Sequence, residues 1–179
     1  MMKIASLFCL GALLSTAPAL AVPTIAAHTA VVVFNARSMH VTAKQSGHCW
    51  TSSIASQRSD AYRCMAGNGI HDPCFTLSPR EVACPTGIAA DRGIAITLTK
   101  PLPQSNQARS VFQMQLQSGA QCNRGTGTVI PGYPFYCAGG LVCSAPPGEP
   151  QGAVFVHCGT PANGKVAGAG SYLVRVLYE

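Results

Sequence analysis

The sequence predicts a mainly β protein: a small antiparallel sandwich or barrel with one short helix at about 60–66, stapled by four disulfides. Three observations carry this. Residues 94–99 and 112–117 alternate apolar and polar side chains with a period of two, the pattern of half-buried strands. Glycine (18) and proline (13) are plentiful while only 10% of the 179 residues are charged, so turns are frequent and the core is modest. Nine cysteines are present, and the placement of all but one leaves an even set suited to cross-linking.

The N-terminus sets the compartment. Met1-Met2-Lys3 is a short positive start, Ile4 to Leu14 is apolar, and Ala19-Leu20-Ala21 is a small-residue cleavage signal. Residues 1–21 therefore read as a secretory signal peptide, and 22–179 as a single disulfide-rich β domain. The apolar run is shorter than the roughly 20 residues of a spanning helix, and no later segment reads as a membrane span. The expected location is secreted or periplasmic. Removing the leader removes Cys9.

Along the remaining chain, Ala30 to Phe34 is a continuous β-branched run, which predicts a buried first strand. A strand from Gly47 carries Cys49 and Trp50. Ser59-Asp60 ahead of Ala61 to Ala66, closed by Gly67-Asn68, has the capping chemistry of a short helix, with Tyr62 and Met65 on one face. His71-Asp72-Pro73-Cys74-Phe75 predicts a turn. Val82 to Cys84 is a short strand. Ile94, Ile96 and Leu98 point inward from the next one, and Phe112, Met114 and Leu116 are buried opposite a wet face of Gln113, Gln115 and Gln117. Phe135 to Cys137 and Leu141 to Cys143 flank Gly139-Gly140 as a hairpin. After a Pro/Gly loop at 145–152 come strands at Val154 to Cys158 and Tyr172 to Tyr178, the last with Tyr172, Val174, Val176 and Tyr178 on one face.

The cysteines fall into two groups of four, separated by two well-formed strands. Sequence leaves the connectivity open, and pairing within each group is the economical expectation: Cys49–Cys64, Cys74–Cys84, Cys122–Cys137 and Cys143–Cys158.

Charge excludes more than it assigns. The formal net charge is +6, but the basic residues are scattered, with no basic run or face, so nucleic acid is not an expected partner. Loose attraction to an anionic envelope polymer is compatible with that balance. His48-Cys49, His157-Cys158 and His71-Asp72 place possible ligands side by side, yet neighbours on a strand face opposite ways and no C-x₂-C or H-x₃-H spacing occurs. No metal and no cofactor is expected. There is no Gly-x-Ser-x-Gly elbow and no spare thiol. Gly125-Thr126-Gly127-Thr128 lacks the lysine and following helix of a phosphate loop and reads as a turn.

What remains is recognition. Trp50, Arg58, Tyr62, Arg63 and His71 are the candidate binding residues, because cross-links would gather them and aromatic side chains beside arginine are common hot-spot chemistry. Tyr62 and Trp50 also read as core residues packed on disulfides, and for Trp50 the core is favoured. The sequence thus points to an exported, non-catalytic binding or inhibitor-type protein acting in the cell envelope or outside the cell, on an envelope polymer or another exported protein. The alternative is a small secreted hydrolase using a His-Asp pair, His71 or His48 with Asp60 or Asp72.

The run Cys49-Trp50, Asp60-Ala61-Tyr62-Arg63-Cys64, Gly67-Asn68, Asp72-Pro73-Cys74-Phe75 and Val82-Ala83-Cys84 resembles a framework of exported bacterial proteins with no agreed activity. The resemblance implies export and disulfide bonding and carries over no catalytic residue. Cys143 and Cys158 look like an addition to it.

Overall fold

The period-two segments become strands, and the strands close into two rings. A computed structural model describes residues 28–86, 91–105, 110–147 and 152–179. The expected leader and part of the loop at 145–152 lie outside the described residues.

The first ring is a closed barrel of β2 (His40–Ser52), β3 (Ala61–Ala66), β4 (Gly69–Ser78), β5 (Glu81–Pro85) and β6 (Arg92–Leu98). Its neighbours are antiparallel except β2 and β6, which run parallel to close it. Tyr62, Cys64, Cys74, Val82, Cys84, Ile94, Ile96 and Leu98 fill the interior. Gly47 is required at the seam, since a Cβ there would stand 2.1 Å from the Met65 carbonyl oxygen.

The second ring contains β7 (Gln113–Leu116), β8 (Gln121–Arg124), β9 (Phe135–Cys137), β10 (Val142–Cys143), β11 (Val154–Ala162) and β12 (Lys165–Tyr178). β12 pairs with β11 along one part and with β7 along another, which brings the sheet round on itself. A short β1 (Ala30–Val32) adds parallel to the end of β12. The Gly139-Gly140 turn joins β9 and β10 as the sequence predicts, both glycines at positive φ. Between β11 and β12 the two-residue turn Asn163-Gly164, φ 49° and 73°, has the positive φ at both positions that a tight hairpin needs.

All four expected disulfides form, two in each ring. Cys49↔Cys64, Cys122↔Cys137 and Cys143↔Cys158 stand directly opposite across antiparallel pairs, and Cys74 and Cys84 occupy the rung beside Phe75↔Ala83. The rings meet through Phe34, Phe75 and Phe112, whose ring centroids lie 4.8–5.4 Å apart in tilted and edge-on contacts. Pairs of this geometry contribute about 0.5–1.5 kcal/mol beyond their buried area.

Mainly β structure is therefore present, but several local expectations fail. The helix at 60–66 is strand β3. Pairing on both sides, to β2 and to β4, outweighs a weak local helix preference, and Gly67-Asn68 serves as the β3–β4 hairpin turn rather than a helix stop. The predicted turn at 71–75 lies within β4, which runs on through a cis Asp72–Pro73 peptide and an irregularity in its pairing with β3. The first strand is not buried: β1 is an edge, exposed throughout. The glutamine face of β7 is wet only toward its end: Gln113 is 2% exposed where the rings come together, Gln115 is half-buried, and Gln117, just past the strand, is exposed. On β12 a register shift between Val174 and Val176 turns Val174 and Leu177 inward, so the four-residue face does not persist.

Candidate binding site

The outer face of the first barrel carries the residues that the core does not use. Register aligns His48, Met65 and Ile70 across β2, β3 and β4. Next to His48 on β2, an irregularity between Cys49 and Thr51 displaces Trp50 from the ladder, and the indole is 41% exposed. This corrects the expectation of a core tryptophan: Cys49 takes the inward position on β2, and the irregularity that follows it leaves Trp50 outside. Met65 is 37% and Ile70 54% exposed. Clustered large apolar side chains of this kind are what an unpartnered surface seldom shows.

Arg63 organises the polar side. Its guanidinium lies 5.8 Å from the Trp50 ring centroid, and its Nε lies 4.0 Å from Asp72 Oδ2. The His48 ring is 6.4 Å from the indole on the other side. Asp72 is the anchor beneath: its side chain is 1% exposed, Ser53 Oγ donates to Oδ1, and the Ile54 N–H donates to Oδ2 at 3.2 Å. Ser53 Oγ in turn accepts from the Ala55 and Ser56 N–H groups. A carboxylate thus ties the 53–56 loop to β4 and faces the arginine under the tryptophan. Burial pushes the Asp72 carboxyl above its usual range, opposed by the Ser53 hydroxyl, the Ile54 and Ala55 N–H groups and the Arg63 charge.

The remaining candidates do other work. Arg58 donates from Nε and Nη2 to both Asp60 oxygens, at 2.8 and 2.6 Å, and from Nη1 to the Phe34 and Glu179 carbonyl oxygens, at 2.7 and 3.0 Å. It also covers the Phe75 ring, so it is a strut between the barrels. Tyr62 is buried in the first barrel. His71 shares a rung with Cys64 and sits over Gly69, where a Cβ would come within 3.1 Å of its Nε2. Trp50 and Arg63 are therefore brought together, whereas Arg58, Tyr62 and His71 are not part of the same surface. Met65 and Ile70 were missed, and the strand alternation of 61–66 is the signal that would have placed Met65 outward beside Arg63.

His71 and Asp72 do not form a hydrogen-bonded dyad. His71 and Asp72 are consecutive on an extended strand, so their side chains diverge, and the described hydrogen bonds of Asp72 go to Ser53 and Ile54. A cluster of three sulfurs with metal-ligand spacing, Cys122, Cys137 and Cys143, consists of half-cystines already bonded. Among the described residues no helix is long and apolar enough to cross a membrane.

Burial lowers the His71 pKa from 6.5. The folded state thus favours the neutral ring, so this contribution to stability is complete above 6.5 and is lost as pH falls below it. Asp72 has the opposite sign: its folded pKa lies above 3.8, so its contribution is complete below 3.8 and is lost as pH rises. Because the two oppose each other, the His71 contribution is read as a difference: on passing to the acid side of 6.5 the urea midpoint should fall more, or rise less, in the wild type than in His71→Gln. The same change in both would remove His71 as a contributor.

Compared with protein-family models, curated proteins and solved structures, the chain matches none.

Proposed function

We propose that this is an exported, non-catalytic binding protein that engages an envelope polymer or another exported protein through the Trp50 face. The carrying observation is that the chain's one tryptophan is held outward against Arg63, next to the rung that aligns exposed Met65 and Ile70 with His48. Such a residue could have been buried at a gain of a few kcal/mol. Four disulfides suit an oxidising compartment. Two of them bear on this face, Cys49–Cys64 joining β2 to β3 and Cys74–Cys84 tying β4 to β5, and such restraint lowers the entropy cost of binding. Arginine and tryptophan are favoured hot-spot residues when a partner seals them from water.

The single indole is its own reporter. Titration of the oxidised protein with envelope polymer preparations or purified exported proteins should shift and intensify Trp50 emission as the ring leaves water. Ile70→Ser, at an exposed position, should weaken that binding about tenfold without changing the melting temperature, the loss of a well-buried aliphatic contact. A bound partner that leaves both the emission and the Ile70→Ser affinity unaltered would sink the assignment.

A further inference from the structure

Edge strands usually carry a guard against pairing: a lysine, a proline, a bulge or a cover. The first half of β2 pairs with β6 alone and has such a guard in Lys44, whose side chain is 73% exposed beside Glu81. β1 has none. Val31, Val32 and Val33 are 44%, 40% and 54% exposed, and β12 is the sole neighbour of β1 in the sheet. Alternate positions are tied to that neighbour: Val32 O accepts from the Glu179 N–H, and Phe34 N–H donates to Glu179 O. The N–H and C=O groups of Val31 and Val33 point the other way, and none has a hydrogen-bond partner among the described residues.

Beside this edge, between the two barrels, lies a cleft of about 510 Å³. That is the size of pockets that hold ligands, roughly 300–1,000 Å³. Val32, Val33, Phe34 and Met39 make its apolar wall, and Gln121 and Asp91 face them. Among the described residues Asp91 is the one charged residue of the lining. Gln121 Oε1 is buried without a hydrogen-bond partner. Among the polar groups of the cleft, one carboxylate and one unsatisfied amide oxygen stand ready to accept, in a chain of net charge +6.

We propose that β1 and this cleft bind an extended segment of a partner protein, which adds as a strand along β1 and places a lysine or arginine in the cleft against Asp91 and Gln121. The free groups of Val31 and Val33 would set the register of the added strand, and alternate side chains would give it specificity. A second copy of this chain fits less well. Antiparallel pairing of β1 with itself brings valines to valines and supplies no donor for the cleft, while the nearby Arg37 guanidinium is already given to Leu77 O. The site uses none of the residues of the Trp50 face and stands independently of that reading.

The test is calorimetric titration of the oxidised full chain with blocked seven-residue peptides that alternate valine and threonine around a central lysine. The controls carry a central glutamate, or N-methyl groups on alternate amides. The lysine peptide is expected to bind about tenfold tighter than the glutamate peptide, the scale of one charge-assisted contact. Asp91→Asn should remove that preference, N-methylation should abolish binding, and Trp50→Ala should change nothing. Equal affinity of the lysine and glutamate peptides, undiminished binding after N-methylation, or no binding by any peptide at millimolar concentration would each overturn the proposal. So would a concentration-dependent dimer in sedimentation that Val33→Lys dissolves, since that outcome gives the edge to a second copy.

Discussion

Arg58→Ala is expected to destabilise the protein by about 3–5 kcal/mol, since it leaves two carbonyl oxygens without a donor at about 1–3 kcal/mol each and removes a part-buried ion pair as well. The side chain is 15% exposed and makes four hydrogen bonds to three separate parts of the chain. Asp60 belongs to the first barrel, Phe34 follows β1, and Glu179 follows β12 of the second. Alanine would strand the Phe34 and Glu179 carbonyls, uncover the Phe75 ring and leave Asp60 without its counter-ion. Lysine would not rescue it, because a single ammonium cannot reproduce the fork that meets both Asp60 oxygens while another nitrogen meets the carbonyls. Asp60→Asn is the calibrating variant. Asp60 is 40% exposed, so its loss should cost only about 1 kcal/mol. Guanidinium unfolding of the three variants decides the point, and a loss below that of Asp60→Asn for Arg58→Ala would show that the strut carries no load.

The same residue illustrates where sequence reading stops. Arg58 and Arg63 are alike in composition and local context, and both sit near aromatic residues. One is consumed by a seam between two barrels and the other by an exposed tryptophan. That seam is not legible from local pattern. A period of two marks a strand and separates its faces, as it does for β6 and β7, but it does not say whether the polar face meets water or a second barrel. Gln113 shows the consequence: read as solvent-facing, it is buried at the junction. The valine run of β1 errs the other way, since continuous apolar character is equally compatible with a core strand and with an unguarded edge.

The cysteine pairing was open in the sequence, and the economical expectation is the one that forms. Each bridge joins two consecutive cysteines carried on neighbouring antiparallel strands, so pairing first with second and third with fourth in each group follows the strand pairing rather than the shortest separation, which would have joined Cys137 to Cys143. The helix misread at 60–66 obscured the candidate site as well. Three-residue spacing joined Tyr62 to Met65, whereas the strand puts Tyr62 inside with Cys64 and Met65 outside with Arg63. The β11–β12 hairpin carried its own mark in Asn163-Gly164, the strongest short signal for a tight turn.

Removing the Cys143–Cys158 bridge by paired alanine substitution is expected to cost about 3–5 kcal/mol. The bridge spans 15 residues, and closing a loop of that length contributes about 3 kcal/mol through the unfolded chain. Packing adds to this. Cys143 and Cys158 are both 0% exposed in the core of the second barrel, and Cys143 Sγ lies 3.2 Å from Cys137 Sγ of the adjacent bridge. Sulfur is thus part of the filling among Met114, Phe135, Val156 and Leu177, and its loss leaves a void that small strands cannot close. The two contributions separate in a comparison. Cys49–Cys64 and Cys122–Cys137 close loops of the same length, so chain entropy alone predicts equal losses for all three. Contact between sulfurs predicts more: removing Cys122–Cys137 together with Cys143–Cys158 should depart from additivity by at least about 0.5 kcal/mol. Removing Cys49–Cys64 with Cys143–Cys158, in different barrels, should be additive. Urea unfolding of the single and combined variants measures both, and additivity in every combination would leave the bridges as loop closures with no share in the packing of the core.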